Sequence, residues 1–285
     1  EKILTLLRFE NSINKEFMSL DKYVESMAKD QKDQEYYDRI KARFASERDL
    51  RLGYRPQGTD QYTSDFSGAK QKYGVDPYAR SSNAREAISD SVEVLFIGGG
   101  FSALLTSARL REKGIESIRI VERAGDVGGT WYWNRYPGVA CDVISYDYLP
   151  LLDEMNYVPK RRYSGGEEIL EHSRAIARKY GLYDLAVFQT TVTSTVWNSD
   201  EKMWHVRTDR DDLMRARFVV CANGTLSKPK LAKIEGIDEF SGHSFHTSRW
   251  DYDYTGKDLE NLSDKRVGII GTGATAVQAI PELGK

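Results

Sequence analysis

The sequence of 285 residues has few cysteines, no long apolar run and almost no net charge. Its two cysteines, Cys141 and Cys221, stand far apart without ligand-like spacing, which excludes a disulfide framework or a zinc site and favours a reducing, cytoplasmic setting. No segment approaches the ~20 apolar residues of a membrane span, and the first residues lack the pattern of a secretory signal. The formal net charge of -2 offers no basic surface for nucleic acid or an anionic membrane. We therefore expect small-molecule partners, no metal, and a monomer or a weak homo-oligomer.

The first 90 residues show no pattern that indicates chemistry. Between Glu16 and Leu50 the sequence is charged and helix-favouring, and apolar residues recur at helical spacing, which predicts one or two amphipathic helices. These apolar residues are Phe17, Leu20, Tyr23, Val24 and Met27. From Gly53 to Asp90 the sequence is polar and without periodicity, as in an irregular connector. Residues 1–90 are thus predicted to be a helical and irregular extension.

A strand, a glycine turn and a helix follow one another from Val92, and the segment SIRIVER supplies the next strand. Gly98, Gly100 and Ala103 match the pattern GxGxxA. The first glycine makes the turn, the second lets backbone approach a pyrophosphate, and the small third residue permits close helix packing. Glu122 ends the second strand, where a carboxylate can accept hydrogen bonds from ribose hydroxyls. This context predicts a dinucleotide-binding βαβ unit.

The rest of the chain continues a doubly wound, Rossmann-like α/β fold with a parallel sheet. Ser164 is a plausible N-cap for a helix beginning GGEEIL, and three segments alternate like strands of a β-rich insertion. These segments are residues 187–197, 203–208 and 215–222. Residues 265–285 repeat the strand, glycine turn and helix pattern, so a second dinucleotide unit begins there.

Residues 123–142, RAGDVGGTWYWNRYPGVACD, form a loop with four aromatics and four glycines that is too irregular for a core helix. Such a loop suits a flat ring, although Trp131 and Trp133 alone could equally be core or interface aromatics. Read in the same way, Asp142 could be a surface or capping carboxylate and His246 a structural histidine.

Two motifs resemble those of Baeyer-Villiger monooxygenases. The loop matches that family's [AG]GxWxxxx[FY]P[GM]xxxD pattern at Gly128, Gly129, Trp131, Tyr136, Pro137, Gly138 and Asp142. Downstream, FSGHSFHTSRWD matches its FxGxxxHxxxW[PD] fingerprint at Phe240, Gly242, His246, Trp250 and Asp251. The resemblance covers residues 90–285, and the extension is similar to that of longer members acting on polycyclic ketones, cyclopentadecanone or steroids.

This resemblance implies FAD and NADP(H) as cofactors, and the insertion of one oxygen atom of O2 beside the carbonyl of a bulky or cyclic ketone to give an ester or lactone. It places along FAD the residues Gly98, Gly100, Ala103, Glu122, Gly129, Thr130, Trp131, Trp133, Asp142, Tyr148 and Val192. The resemblance also implies that Ala140, Cys141 and Asp142 would border the nicotinamide, and that Asp142 would be the catalytic acid, contacting an arginine expected beyond Lys285. The second turn would bind NADP through Gly271, Thr272, Gly273, Ala274, Thr275, Ala276 and Val277.

The implied domains are an FAD-binding domain over residues 91–240, a linker over 241–264, and the start of an NADP-binding domain over 265–285. Because that domain would continue beyond Lys285, we do not expect this chain alone to oxidise ketones. One alternative is a flavin N-hydroxylating monooxygenase, which usually carries another aromatic at the place of Trp250 and lacks the aromatic loop. A thiol-disulfide flavoreductase would need a close cysteine pair. A non-catalytic FAD-binding fragment is the third alternative.

Overall fold

The computed structural model describes residues 31–53, 62–63, 66–79 and 84–285. The chain divides into two compact units, with the boundary between Gln61 and Tyr62. In the first unit the described residues form helix α1, Gln31–Gly53, within and just beyond the segment predicted to be helical. The apolar positions predicted between Phe17 and Met27 lie outside the described residues. No helix of the described ranges has the length and apolar character needed to cross a membrane.

A mixed sheet forms the centre of the second unit. Among the described residues its six strands follow the order β4-β3-β2-β7-β6-β5. Strands β4, β3, β2 and β7 are parallel to one another, and β7 also begins an antiparallel meander with β6 and β5. The α/β class and the β-rich insertion are therefore confirmed. A separate two-stranded ladder joins β1 to β8. The strands are β1 Tyr62–Thr63, β2 Ser89–Ile97, β3 Ile118–Val121, β4 Ala186–Val187, β5 Val192–Asn198, β6 Met203–Thr208, β7 Leu213–Cys221 and β8 Leu231–Ala232.

Helices cover the sheet and shape the loops at its edge. Strand side chains alternate between the two faces, so that Phe96 and Ile120 pack beneath α2 and α6 while Leu95 and Val206 pack on the opposite face. The α-helices are α2 Phe101–Glu112, α3 Thr130–Trp133, α4 Ser145–Tyr148, α5 Leu152–Met155, α6 Gly166–Lys179, α7 Tyr252–Thr255 and α8 Ala274–Leu283. Short 3-10 helices cover Gly68–Tyr73, Thr247–Arg249 and Glu260–Leu262.

Two local predictions were wrong. Ser164 is not the N-cap of α6, because Gly165 occupies that position and the buried Ser164 hydroxyl lies 2.9 Å from Ser145 Oγ. Residues 266–270 form no strand, since no described segment pairs with them and Val267 and Ile270 are exposed. A strand needs a neighbouring backbone to hydrogen-bond with, and the apolar pattern of this segment does not provide one.

Candidate functional site

A cavity of about 870 Å³ opens where β2, β3 and β7 end at Ile97, Val121 and Cys221. Ligands of open α/β sheets bind at this edge, outside the carboxyl ends of the strands. The cavity brings together most of the predicted FAD-contacting residues. These are Gly98, Gly100, Glu122, Gly129, Thr130, Trp131, Trp133, Tyr148 and Val192.

The first glycine turn leaves no room for side chains. Gly98 has a φ of +110°, and a Cβ there would lie 2.5 Å from the carbonyl oxygen of Ala222. A Cβ on Gly129 would lie 2.9 Å from the Cα of Gly100, so the turn and the aromatic loop meet backbone to backbone. Ala103 is fully buried in the core under α2 and does not line the cavity. Its small side chain instead permits the close packing expected of the third position.

Glu122 is buried at the end of β3, and its carboxylate faces the glycine turn. It accepts hydrogen bonds from the backbone N–H groups of Gly99 and Ala124, the latter at 2.7 Å. Burial raises the pKa of Glu122, and these two N–H groups oppose the rise. Since a carboxylate can accept about four hydrogen bonds, acceptor capacity remains for hydroxyl groups in the cavity.

Aromatic side chains of the loop form one wall of the cavity. Trp131 Nε1 donates to the Tyr148 hydroxyl at 2.9 Å, and the two rings pack edge to face with centroids 5.7 Å apart. Phe101, at the start of α2, also packs against Tyr148, with ring centroids 5.7 Å apart. Burial raises the pKa of Tyr148. The wall is largely aromatic, and the hydrogen bond between Trp131 and Tyr148 fixes the two rings relative to each other.

Two arginines that the sequence did not single out flank Trp133. The guanidinium of Arg249 lies 3.9 Å from the Trp133 ring centroid and that of Arg123 lies 4.9 Å from it. Both arginines donate to the carbonyl oxygen of Ser227, at 3.0 and 3.1 Å. No spacing pattern marks them, because the contacts join three distant parts of the chain. Their only local signals are that Arg123 follows Glu122 and that Arg249 precedes Trp250.

The segment around Asp76 also contributes, although the sequence indicated no chemistry there. Asp76 accepts hydrogen bonds from the Tyr132 hydroxyl at 2.8 Å and from Gly125 N–H at 3.2 Å. The Arg135 guanidinium contacts two rings, 4.2 Å from the ring centroid of Tyr78 and 4.4 Å from that of Tyr132. This part of the predicted extension therefore packs directly on the aromatic loop.

Asp142 does not line the cavity. Ala140, Cys141 and Asp142 are absent from the lining, Asp142 is exposed, and Cys141 is buried with its pKa raised by burial. Instead, this part of the loop contacts α8. Gln278 donates to the Ala140 carbonyl at 2.9 Å and accepts from the Tyr136 hydroxyl at 2.8 Å.

The second glycine turn precedes α8 and borders no described cavity. Gly271, Thr272, Gly273, Ala274 and Val277 are exposed, Thr275 is half-buried and Ala276 is buried. The turn nevertheless has the backbone form of its motif, because Gly271 has a φ of +128° and Gly273 is the N-cap of α8. Its exposed amides are available to a ligand.

The linker fingerprint consists largely of residues that stabilise the linker itself. Trp250 is buried and donates to Thr255 Oγ1 at 3.1 Å, while Asp251 caps α7 by accepting from Tyr254 N–H. His246 Nδ1 accepts from Ser248 N–H at 3.1 Å, and burial lowers the His246 pKa, with a further contribution from the charge of Arg249. Phe240 is exposed and its ring lies over Gly242.

The chain belongs to the pyridine nucleotide-disulphide oxidoreductase family, whose model matches residues 95–285. Within this family its relatives include Baeyer-Villiger monooxygenases, which confirms the resemblance seen in the two motifs. Both cysteines are free, Cys141 buried and Cys221 exposed.

The chain is 53% identical to neopentalenolactone D synthase of Streptomyces avermitilis, over 86% of the chain and 41% of that protein. It is 49% identical, with the same two coverages, to a Baeyer-Villiger monooxygenase of Streptomyces coelicolor. The chain thus spans about two fifths of the length of these relatives.

Solved structures show the same relationship. A polycyclic ketone monooxygenase from the fungus Thermothelomyces thermophila superposes with a TM-score of 0.75 at 37% identity, over 80% of this chain and 40% of that one. A protein named OTEMO, solved in complex with FAD and NADP, superposes with a TM-score of 0.62 at 32% identity, over 70% of this chain and 37% of that one.

Proposed function

We propose that the chain is the flavin-binding part of a Baeyer-Villiger monooxygenase that uses FAD, NADPH and O2. The observation that carries the proposal is the meeting of Gly98–Gly100, Gly129 and Glu122 around one cavity. A turn without side chains, a helix N-terminus and a buried carboxylate are the groups that a dinucleotide requires. The relatives named as Baeyer-Villiger monooxygenases support the reaction class.

Each part of the cavity suits one part of FAD. The N-terminus of α2 presents free N–H groups and a positive dipole end to the pyrophosphate, and Glu122 accepts from ribose hydroxyls. Thr130, Trp131, Tyr148 and Val192 supply the wall for the ring system. When bound, FAD supplies the redox chemistry, taking hydride from NADPH and passing one oxygen atom of O2 to a ketone. The protein orients it and excludes water.

The nicotinamide side is proposed to involve the segment 140–142 and the second glycine turn. Gln278 joins the two, so a nicotinamide dinucleotide on the turn at Gly271–Gly273 would lie next to this segment. Asp142 is exposed there, and as a carboxylate it can hold a cation close to the reacting carbonyl oxygen. Names such as polycyclic ketone monooxygenase support a bulky or cyclic ketone as substrate and an ester or lactone as product.

Visible absorption of the purified chain tests the flavin site, followed by anaerobic addition of NADPH. We expect oxidised flavin bands, and bleaching if the nicotinamide site within this chain is sufficient for hydride transfer. A chain that holds no flavin, even after incubation with FAD, would contradict the assignment of the cavity.

The full-length protein tests the reaction. Consumption of one ketone, one O2 and one NADPH for each ester formed is expected, whereas hydrogen peroxide without ester would contradict the Baeyer-Villiger assignment. A cytoplasmic location and a monomeric or weakly oligomeric state stay predictions.

A further inference from the structure

Arg249 is an unusually buried cation for a linker residue, with 3% of its surface exposed. Its guanidinium donates to the carbonyl oxygens of Ser248 at 2.8 Å and Ser227 at 3.0 Å, and the guanidinium carbon lies over the Trp133 ring, 3.9 Å from the ring centroid. Within the described ranges its Nε has no acceptor and no carboxylate forms an ion pair with it. Burial lowers the pKa of Arg249 to about 10, and the charge of Arg123 adds to that effect.

Burying a guanidinium without a carboxylate costs free energy, so a contact that only fills space would be better made by an apolar side chain. The advantage of an arginine at this position is the defined geometry of its contacts. A planar guanidinium can stack on an indole ring and donate to a carbonyl oxygen in its own plane at the same time. Arg249 thereby joins Trp133 to the loop between β7 and β8 that contains Ser227, named the Ser227 loop, and both Trp133 and Ser227 line the cavity.

The contacts of Arg123 indicate in which part of the cavity Arg249 and Trp133 meet. Arg123 comes directly after Glu122, the proposed ribose acceptor, and its guanidinium lies over the same Trp133 ring. Both arginines also donate to the Ser227 carbonyl. The Trp133 stack therefore belongs to the end of the cavity where the adenosine of a dinucleotide would lie.

We propose that Arg249 is a positioning residue for the adenosine half of the FAD site, acting through Trp133 and the Ser227 loop. The inference rests on the proposed function, because it requires FAD in this cavity. It also gives the linker a direct connection to cofactor binding, since Arg249 lies one residue before the fingerprint residue Trp250.

The test measures the affinity of the apoprotein for FAD and for ADP, which has the adenosine and pyrophosphate of FAD but no flavin. Arg249→Lys keeps the charge and removes the planar stack. We expect the dissociation constants of both ligands to rise about tenfold, the size of a well-formed cation-π contact in a desolvated site. Arg111→Lys is the matched control, because Arg111 also donates to a backbone carbonyl, that of Gly181 at 3.2 Å, and does not line the cavity.

A double-mutant cycle separates positioning from general loosening of the fold. Trp133→Phe is combined with Arg249→Lys, and the pair is expected to weaken ADP binding less than the two single effects added together, because one acts through the other. Additive effects, or an Arg249→Lys affinity for ADP within twofold of the unmodified chain, would overturn the proposal. If Arg249→Lys does not fold, the test of the proposal rests on Trp133→Phe alone. This variant must raise the dissociation constants of FAD and ADP by the same factor. Failure of the unmodified chain to bind FAD would count against the proposed function instead.

Discussion

The two glycine turns have nearly the same backbone and very different surroundings. Gly98 and Gly271 have φ values of +110° and +128°, and the N-cap residues Gly100 and Gly273 have φ values of -84° and -80°. A Cβ on Gly98 would collide with the carbonyl of Ala222, whereas a Cβ on Gly271 would meet no described atom within 4 Å. The first turn follows β2, which is paired with β3 on one side and β7 on the other, whereas the second follows a segment without strand pairing among the described residues.

This difference shows which features of the site the glycine motif determines and which depend on the surrounding tertiary structure. Glycine spacing sets the turn through local steric freedom, so both turns form. A cavity additionally needs neighbouring strands and a facing loop, and among the described residues only the first turn has them.

Gly98→Ala and Gly271→Ala should lower the free energy of unfolding by different amounts, because only a Cβ at position 98 meets a distant part of the chain. Both positions require a φ that alanine adopts only with strain, which costs about 2 kcal/mol. Gly98→Ala should cost about 4 kcal/mol in the free energy of unfolding, since its Cβ also overpacks against Ala222. Urea denaturation measures both, and flavin content should fall only for Gly98→Ala. Equal destabilisation would mean that the first turn is no more constrained than the second.

Asp212→Asn tests the polar cluster at the opposite end of the strands that carry the first turn. Asp212 is buried and accepts from both terminal nitrogens of Arg85, from Thr208 Oγ1 and from Ile88 N–H. Since the variant leaves Arg85 without a charge partner, we expect it to cost about 3 kcal/mol. Asp211→Asn, an exposed neighbour, is the control and should stay within about 0.5 kcal/mol of the unmodified chain.

The same aspartate predicts an acid dependence. Burial raises the pKa of Asp212, but the hydrogen bonds from Arg85, Thr208 and Ile88 outweigh it and lower the pKa to about 2. Because the folded-state pKa lies below the unfolded value of 3.8, the stabilisation is complete above about pH 4 and disappears as the pH falls through about 2. On the order of 2 kcal/mol should be lost over that interval, as measured by urea denaturation. The Asp212→Asn variant should lack this component.

Gln278→Ala tests what holds the helix of the second turn. Its amide joins α8 to the Tyr136 hydroxyl and to the Ala140 carbonyl, and the alanine variant leaves those groups unpaired, at about 2 kcal/mol. We expect faster hydrogen exchange in α8 with unchanged flavin content. Glu282→Gln, which alters an exposed ion pair on the same helix, should change neither. Loss of flavin in Gln278→Ala would show that the two turns are energetically coupled.

The sequence predicted the parts of the site that depend on local pattern. Gly98, Gly100, Glu122 and the aromatic loop were found because turns, strand ends and family motifs are contiguous in the chain. Arg249 over Trp133 could not be found in this way, since the contact joins residues more than a hundred positions apart. The sequence could not predict that residues 266–270 form no strand either, because an apolar extended segment has the same pattern whether or not a neighbouring segment pairs with it.

Asp76→Asn tests whether the first turn depends on the segment before β2. Gly129, which contacts Gly100, belongs to the aromatic loop, and Asp76 holds that loop through Tyr132 and Gly125. Both of these hydrogen bonds are accepted by Asp76 Oδ2, and Oδ1 accepts from Tyr78 N–H. An asparagine amide keeps only one acceptor oxygen, so at least one of the three hydrogen bonds is lost, at about 1 kcal/mol, and FAD affinity should fall about fivefold. Tyr132→Phe removes the matching hydroxyl, and the double variant should be no weaker than the weaker single variant. If Asp76→Asn binds FAD as tightly as the unmodified chain does, the aromatic loop is held by its own packing. The contacts that distinguish the first turn from the second would then not depend on the segment before β2.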